Sequence, residues 1–123
     1  MKNNKHLLKA TNDNHLRNRK KRISIAHDNH PVIKLLKQVK IKPKKVLEIG
    51  CSTGFVLKKI KKLLKCRCDG IDLSSKAIKD GRALFKDINL TQGLFENSKL
   101  REKKYDLIIF GFFLFLVKIE DVL

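Results

Sequence analysis

The spacing of apolar residues divides the chain near residue 30. Residues 1–30 contain histidine, asparagine and basic residues without a sustained apolar period, which predicts a mobile arm or an irregular helical lead-in. Pro31 suits the first turn of a helix, and Pro43 closes that helix. One apolar face of this helix runs through Lys40 and consists of Val32, Ile33, Leu35, Leu36 and Val39.

Four short apolar runs after residue 44 have the length of buried strands. The first of them, residues 46–49, ends at a glycine, as a buried strand of a parallel sheet commonly does. The other predicted strands cover residues 66–72, 88–91 and 105–110.

Helical patterns separate these strands. Residues 55–65 place apolar side chains on one side and lysines on the other, which predicts an amphipathic helix. Ser74 is placed to cap a further helix that carries Ala77, Ile78, Ala83 and Leu84. The resulting order predicts an α/β fold, namely a three-layer, Rossmann-like open parallel sheet with right-handed crossovers and helices on both faces.

The turn after the first predicted strand combines two glycines with nearby acidic residues. Gly50 and Gly54 allow a tight turn and a close approach of the backbone to a ligand. Glu48 precedes this turn, and Asp72 ends the second predicted strand 18 residues after Gly54. An acid at that strand end is placed to accept hydrogen bonds from a ribose diol. Together these residues predict a nucleotide-like ligand at the carboxyl edge of the sheet.

The chemistry of the turn narrows the choice of ligand. A dinucleotide fingerprint needs glycines at positions 50, 52 and 55, whereas the chain has Ser52 and Phe55. No phosphate-binding G-x-x-x-x-G-K-[ST] motif is present, and Glu48 would repel a phosphate. A ligand with adenine, ribose and a cationic amino-acid tail suits Glu48 and Asp72 better. S-adenosylmethionine has all three parts and also carries a sulfonium.

The chain is strongly basic, with 29 Lys and Arg against 12 Asp and Glu and a formal net charge of +17. Lysine accounts for 23 of the cations and is spread over the predicted surfaces, so a compositional bias explains much of the charge. The exception is the run from Arg17 to Arg22, with five cations in six residues. This run predicts either contact with nucleic acid or another anionic surface, or a solvated terminal arm.

Cysteine, histidine and apolar content exclude several classes of protein. The three cysteines form no CxxC pair or disulfide framework, and the four histidines all lie in the first quarter, so we expect no metal site. The longest apolar stretch, residues 107–117, has 11 residues and is too short to span a membrane. The first 20 residues are polar and predict no signal peptide. A cytoplasmic location and no membrane partner are therefore expected.

Four motifs occur in the order found in class I S-adenosylmethionine-dependent methyltransferases. Residues 46–54, with the sequence VLEIGCSTG, resemble the first motif of that family, and residues 70–74 resemble its second-strand motif. Residues 92–95 and 105–111 resemble the loop after the third strand and the fourth-strand motif. The resemblance begins near residue 31 and implies S-adenosylmethionine as the cofactor.

The resemblance assigns the methionine end of the cofactor to the glycine turn. Gly50 and Gly54 would let the backbone approach the methionine part, and Glu48 would reach its ammonium group. Cys51 and Ser52 would contribute backbone contacts. Ser52 departs from the family pattern, because it stands where the family usually has the middle glycine.

The resemblance assigns the rest of the cofactor to the later strand ends. Asp72 would bind both ribose hydroxyls, and Leu73 would lie against the adenine. The residues that would complete the adenine site and line the methionine end are Leu94, Phe95, Phe110 and Gly111. Leu94 stands where many members have an acid for the adenine amino group, so adenine would be held by apolar and backbone contacts.

Only the first four of the seven strands of the family, whose order is 3-2-1-4-5-7-6, can be placed in this chain. We therefore expect residues 31–123 to be a partial methyltransferase domain, behind a basic and flexible arm at residues 1–30. The missing part would come from a longer protein or from a complementing chain, and a truncated reading frame is the third reading. The fourth strand would then be an edge with poorly covered phenylalanines, namely Phe110, Phe112, Phe113 and Phe115.

The implied reaction is in-line transfer of a methyl group from the sulfonium to an acceptor, which we expect to be a small molecule. The sequence nominates no general base. Two alternatives stay open. One is a non-catalytic basic module that binds nucleic acid through Arg17 to Arg22, and the other is an inactive truncated fragment.

Overall fold

The computed structural model describes residues 5–111, which form four α-helices, two short 3-10 helices and one four-stranded sheet. The α-helices are α1 (Lys5–Arg22), α2 (Pro31–Val39), α3 (Phe55–Leu64) and α4 (Ser75–Leu84). The strands are β1 (Lys45–Ile49), β2 (Arg67–Asp72), β3 (Asn89–Gln92) and β4 (Leu107–Phe110). Two short 3-10 helices, Phe95–Asn97 and Lys99–Glu102, lie between β3 and β4.

The four strands form one parallel sheet in the order β3-β2-β1-β4. The predicted α/β fold, its strand order and its parallel pairing are confirmed. Because all four strands run in the same direction, their carboxyl ends lie side by side at the same end of the sheet. The motifs that follow β1 and β2 are thereby brought together.

Two apolar clusters, one on each face of the sheet, form the core. Neighbouring side chains of a strand point to opposite faces. On the first face, Val46 and Cys68 pack in a cluster with residues of α2, α3 and α4. On the second face, Leu47 and Ile71 pack against Leu100 of the second 3-10 helix. The described α-helices α2 to α4 thus cover one face and the 3-10 helices cover part of the other.

The first 30 residues differ from their prediction as a mobile arm or irregular lead-in, because residues 5–22 form the regular helix α1. Its buried side chains are polar, namely Thr11 and His15. His15 Nε2 lies 2.8 Å from Asp80 Oδ2 of α4, and Ser74 Oγ donates to Asn12 Oδ1 at 2.7 Å. Helix α1 therefore packs against α4 through polar side chains. Because these side chains are polar, the sequence of α1 shows no apolar periodicity.

Part of the basic run is used inside the fold. Arg19 Nε donates to Asp80 Oδ2 at 2.9 Å, and Arg22 Nη1 donates to Asn14 Oδ1 at 3.0 Å. Arg17, Lys20 and Lys21 are exposed on α1. Two of the five cations are therefore explained by contacts within the chain.

Some element boundaries differ from the predicted ones for local reasons. Helix α2 ends at Val39, because Lys40 has a left-handed backbone with φ of 51°, before Pro43 is reached. Strand β4 begins at Leu107 and not at residue 105. Asp106 instead accepts the N–H groups of Lys44 and Lys45 at 2.7 and 3.0 Å and so joins β4 to the start of β1.

Strand β4 lies at one edge of the described sheet, and the side chain of Phe110 is 58% exposed. The expectations for Phe112, Phe113 and Phe115 lie outside the described residues. None of the helices within residues 5–111 has the length and apolar character required to cross a membrane.

Candidate cofactor site

The turn between β1 and α3 has an unusual backbone. Gly50, Ser52 and Gly54 have positive φ values of 80°, 54° and 86°. The N–H groups of Gly50 and Cys51 both donate to the carbonyl of Ile71, at 2.8 and 3.1 Å. The turn therefore folds back onto the end of β2. The left-handed backbone at Ser52 explains why the related motif prefers glycine there.

Glycines allow two other segments to approach this turn closely. A Cβ atom at Gly111, directly after β4, would lie 2.2 Å from the carbonyl oxygen of Gly50. A Cβ atom at Gly81 of α4 would lie 2.1 Å from the carbonyl oxygen of Thr53. Both positions therefore require glycine, and the turn is held between the end of β4 and helix α4.

Asp72 ends β2 and points to the same turn. Its Oδ2 accepts the N–H of Ser52 at 2.7 Å, and its Oδ1 accepts the N–H of Ser74 at 2.8 Å. Burial raises the pKa of the Asp72 carboxyl, whereas these two N–H groups and the charge of Arg22 oppose that rise. Each carboxylate oxygen has a second lone pair, so Asp72 retains acceptor capacity for a ligand.

Glu48 lies on β1 beside the turn and is 2% exposed. Its Oε1 is buried without a hydrogen-bond partner within the described part of the chain, and the buried Oγ of Ser52 also has none. Burial, and to a lesser extent the charge of Asp72, raises the pKa of Glu48 to about 8. An unpartnered carboxyl oxygen at this depth is costly unless a ligand or water bonds to it.

An open pocket of about 640 Å³ lies beside the ends of β2 and β3. It contains two of the predicted adenine residues, Leu73 and Leu94. Phe95 is partly buried and packs against the cluster of Leu47 and Ile71. The pocket is lined by Leu73, Thr91, Gln92, Gly93, Leu94, Asn97, Ser98, Lys99, Leu100 and Lys103.

The structure places the predicted residues in three groups. Glu48, Asp72 and the turn at residues 50–54 meet at the ends of β1 and β2. Leu73 and Leu94 line the neighbouring pocket. The third group follows β4, where Phe110 is exposed at the sheet edge and Gly111 donates its N–H to the carbonyl of Ile49 at 2.7 Å.

Arg22 belongs to this region although the sequence pattern gave no sign of it. Its carbonyl oxygen accepts a hydrogen bond from the Thr53 hydroxyl, so the end of α1 touches the turn after β1. Burial lowers the pKa of the Arg22 guanidinium, and the charge of Asp72 opposes that shift. In the sequence, Arg22 stood out only as part of the basic run from Arg17 to Arg22. That run predicted contact with an anionic partner and did not predict that Arg22 lies beside the turn.

Within residues 5–111, no group of three His, Cys, Asp or Glu side chains is placed to hold a metal ion. The cysteines at positions 51, 66 and 68 are buried free thiols. Burial raises the pKa of the Cys51 thiol well above its usual value, so this residue of the turn is a poor nucleophile.

Comparison with known proteins identifies the domain. A family model described as a methyltransferase domain matches residues 46–123. The plantazolicin methyltransferase BpumL, crystallised with a pentazolic desmethylPZN analog and SAH, is 32% identical with a TM-score of 0.52. That match covers 61% of this chain and 30% of BpumL. No curated protein matches the chain significantly.

Two more distant structures share the fold. A TehB-like SAM-dependent methyltransferase from Corynebacterium glutamicum is 20% identical with a TM-score of 0.68, over 89% of this chain and 60% of that protein. DesVI from Streptomyces venezuelae is 21% identical with a TM-score of 0.58, over 85% of this chain and 42% of DesVI. This chain thus spans less than two thirds of the length of each of these relatives. By the match of more than half of its residues to the family model, the chain belongs to the methyltransferase-domain family.

Proposed function

We propose that this chain carries the cofactor-binding part of an S-adenosylmethionine-dependent methyltransferase. The observation that supports this most directly is the meeting of two carboxyl groups, those of Glu48 and Asp72, at a glycine turn. Glu48 is buried and Asp72 is partly buried, and acids in such places need cationic or hydroxyl-bearing partners. The ammonium, sulfonium and ribose of S-adenosylmethionine supply such partners.

The polar atoms of the turn fit this ligand. Glu48 Oε1 and Ser52 Oγ are buried without partners among residues 5–111, so a ligand would satisfy atoms that the fold leaves unsatisfied. The Glu48 carboxyl also lies close to Gly111, because a Cβ atom at Gly111 would lie 3.2 Å from Glu48 Oε2. Glu48 would take the ammonium group, and Asp72 would take the ribose hydroxyls.

The chain contributes binding and orientation to the reaction. S-adenosylmethionine, when bound, supplies an activated methyl group on its sulfonium. Asp72 fixes the ribose while Leu73 and Leu94 hold the adenine in their pocket, which limits the ways in which the methyl group can point. The backbone of Cys51 and Ser52, with Phe95, Phe110 and Gly111 nearby, completes the proposed set. Orientation of this kind accounts for much of the rate gain in transfer reactions.

The acceptor that we propose is a small molecule. What supports this is that BpumL, a similar methyltransferase, was crystallised with a desmethylPZN analog. A cytoplasmic location is consistent with three free thiols, because reducing compartments preserve them. The two alternative functions, a nucleic-acid-binding module and an inactive fragment, stay predictions, and so does a complementing chain. Two cations of the run that would contact nucleic acid, Arg19 and Arg22, make hydrogen bonds within the chain.

Calorimetric titration of the chain with S-adenosylhomocysteine tests the proposal. We expect a dissociation constant of about 1 mM or lower. Asp72→Asn should weaken binding about tenfold or more, because a carboxamide keeps only one acceptor oxygen and places an NH2 donor where the second one was. Asp87→Asn is the matched control, since Asp87 pairs with Lys58 at 2.7 Å away from the turn. The control should bind as the unmodified chain does.

A folded chain that binds no S-adenosylhomocysteine would contradict the proposal. Equal affinities of the Asp72→Asn variant and the unmodified chain would contradict the role of Asp72. Circular dichroism spectra of the three proteins establish that each is folded before its affinity is compared.

A further inference from the structure

Helix α2 and the residues after it expose large apolar side chains. Leu35, Val39 and Ile41 are 57%, 49% and 38% exposed. Leu35 and Val39 are four positions apart, so they lie one turn apart on the same side of α2. The helix is already held in the core by Ile33 and Leu36, which are buried. Its apolar surface therefore extends beyond the part that the fold covers.

The charge around these apolar side chains is of one sign. Residues 31–45 contain six lysines and no acidic residue. One of the lysines, Lys37, pairs at 3.2 Å with Asp28, which lies outside this segment. The lysines next to the exposed apolar residues in the sequence are exposed as well, namely Lys34, Lys40 and Lys42. Lysines beside exposed apolar side chains are typical of segments that lie in the interface of an anionic lipid surface.

A lipid surface fits this segment better than a nucleic acid does. Residues 31–45 contain no arginine, which makes the best phosphate and base contacts, and no aromatic residue on which a base could stack. A nucleic acid would also leave Leu35, Val39 and Ile41 in contact with water, whereas the boundary between lipid headgroups and acyl chains would cover them.

The exposed end of this segment lies away from the proposed cofactor site. Just before α2, the ring of His30 packs edge-on against Phe55, directly after the glycine turn, with 6.0 Å between the ring centroids. Helix α2 then runs towards the start of β1 at Lys45, which is at the opposite edge of the sheet. A surface that contacts Val39 and Ile41 therefore leaves the turn after β1 open.

We propose that Leu35, Val39 and Ile41, with the lysines beside them, dock this chain on an anionic lipid surface. The apolar side chains enter the boundary between headgroups and acyl chains, and the lysines contact the anionic headgroups. The expectation of no membrane partner rested on the lack of a spanning segment, which docking of this kind does not need. The docking is also independent of the proposed function.

Co-sedimentation of the full chain with lipid vesicles tests the apolar part of the contact. We expect binding to phosphatidylcholine vesicles with about 30% phosphatidylserine, and binding about tenfold weaker or less to phosphatidylcholine alone. The double variant Leu35→Gln and Val39→Gln should bind the anionic vesicles about tenfold more weakly, because it loses apolar burial. Leu16→Gln is the matched control, since Leu16 is 50% exposed on α1, and it should bind as the unmodified chain does.

A second pair of variants tests the lysines. The double variant Lys40→Gln and Lys42→Gln should also weaken binding about tenfold or more. The double variant Lys20→Gln and Lys21→Gln removes the same charge from exposed positions of α1 and should change binding by less than about twofold. Circular dichroism spectra establish that every variant is folded.

Tryptophan fluorescence reports the contact at one position, because the chain contains no tryptophan of its own. The emission of an Ile41→Trp variant should shift to shorter wavelength with the anionic vesicles, and that of Leu16→Trp should not. Unchanged binding by the Leu35→Gln and Val39→Gln variant would overturn the proposal, because the contact would then be electrostatic alone. Equal losses in the two lysine variants would overturn it as well, since net charge would then decide. So would a chain that binds a single-stranded RNA oligonucleotide and no anionic vesicles.

Discussion

Glu48 is placed to contact a ligand, but its burial lowers the stability of the ligand-free protein. Its carboxyl is buried beside Asp72, and one of its oxygens has no partner within the described residues. Because its pKa in the fold is about 8, the group is protonated at neutral pH in the ligand-free chain. An approaching ammonium group would favour the ionised form, so binding and ionisation of Glu48 are linked.

The stability of the ligand-free chain should therefore fall as the pH rises. Below about pH 4.5 Glu48 is protonated in both the folded and the unfolded state and contributes no pH dependence. Between that pH and about 8 the unfolded chain ionises while the folded chain does not, which costs about 1.4 kcal/mol for each unit of pKa difference. Urea unfolding at pH 5 and pH 8 measures the change.

Glu48→Gln is the control for this dependence, because glutamine has the same shape and does not ionise. The variant should lose less stability between pH 5 and pH 8 than the unmodified chain, by an amount on the order of a few kcal/mol at most. Identical pH dependences in the two proteins would contradict the raised pKa of Glu48.

Residues at strand ends were predictable because topology fixes their positions. Once β1 and β2 were predicted as neighbouring parallel strands, Glu48 and Asp72 had to lie near the same turn, and Asp72 does bond to Ser52. Phe95 lies in a 3-10 helix after β3 and packs, partly buried, against the cluster of Leu47 and Ile71, so its contact with the adenine stays a prediction. Arg22 was missed, since its place depends on the docking of another helix.

At the level of elements, helices with an apolar face were predicted correctly, whereas the helix that packs through polar side chains was not. Helix α3 shows a buried apolar face, including Val56 and Ile60, and was predicted nearly to its ends. Helix α1 buries Thr11 and His15, and its contacts with α4 join residues more than 60 positions apart. A local pattern cannot show pairs such as His15 and Asp80.

The contact between α4 and the turn after β1 predicts the effect of a small substitution. Alanine usually stabilises a helix by about 1 kcal/mol relative to glycine. In Gly81→Ala, however, the new Cβ would lie 2.1 Å from the carbonyl oxygen of Thr53, so α4 or the turn must move. We expect a loss of about 2 kcal/mol or more in the free energy of unfolding, measured in urea.

Lys79→Ala is the control for Gly81→Ala, because Lys79 is exposed on the same helix. It should change the free energy of unfolding by less than about 0.5 kcal/mol. A Gly81→Ala variant as stable as the unmodified chain would show that the turn can give way, and it would contradict the requirement for glycine at position 81.

Across the whole molecule, charge is distributed unevenly with respect to the sheet. The acids Glu48 and Asp72 lie at the carboxyl edge, where the proposed ligand would bind. The segments that enter the strands at the opposite edge carry exposed cations, namely Lys42, Lys44, Lys45, Lys65, Arg67 and Lys86. Of the acids within these entering segments, Asp87 pairs with Lys58, and Asp106 accepts the backbone N–H groups of Lys44 and Lys45.

This arrangement should make the stability of the chain depend on salt. With a net charge of +17, repulsion between cations opposes the compact state, and Lys45 is the direct register neighbour of Arg67. The screening length falls from about 30 Å at 0.01 M salt to about 8 Å at 0.15 M. The melting temperature should therefore rise by several degrees over this range, as measured by circular dichroism.

Lys45→Gln tests whether local repulsion contributes to that rise. The variant removes one member of the pair formed with Arg67, so it should melt at a higher temperature than the unmodified chain at 0.01 M salt. The difference should shrink as salt is added, because the repulsion in the unmodified chain is then screened. A matched Lys20→Gln variant, altered on exposed α1, should show a smaller gain. A melting temperature that falls with salt would mean that attractive ion pairs, such as those of Asp80, outweigh the repulsion among the lysines.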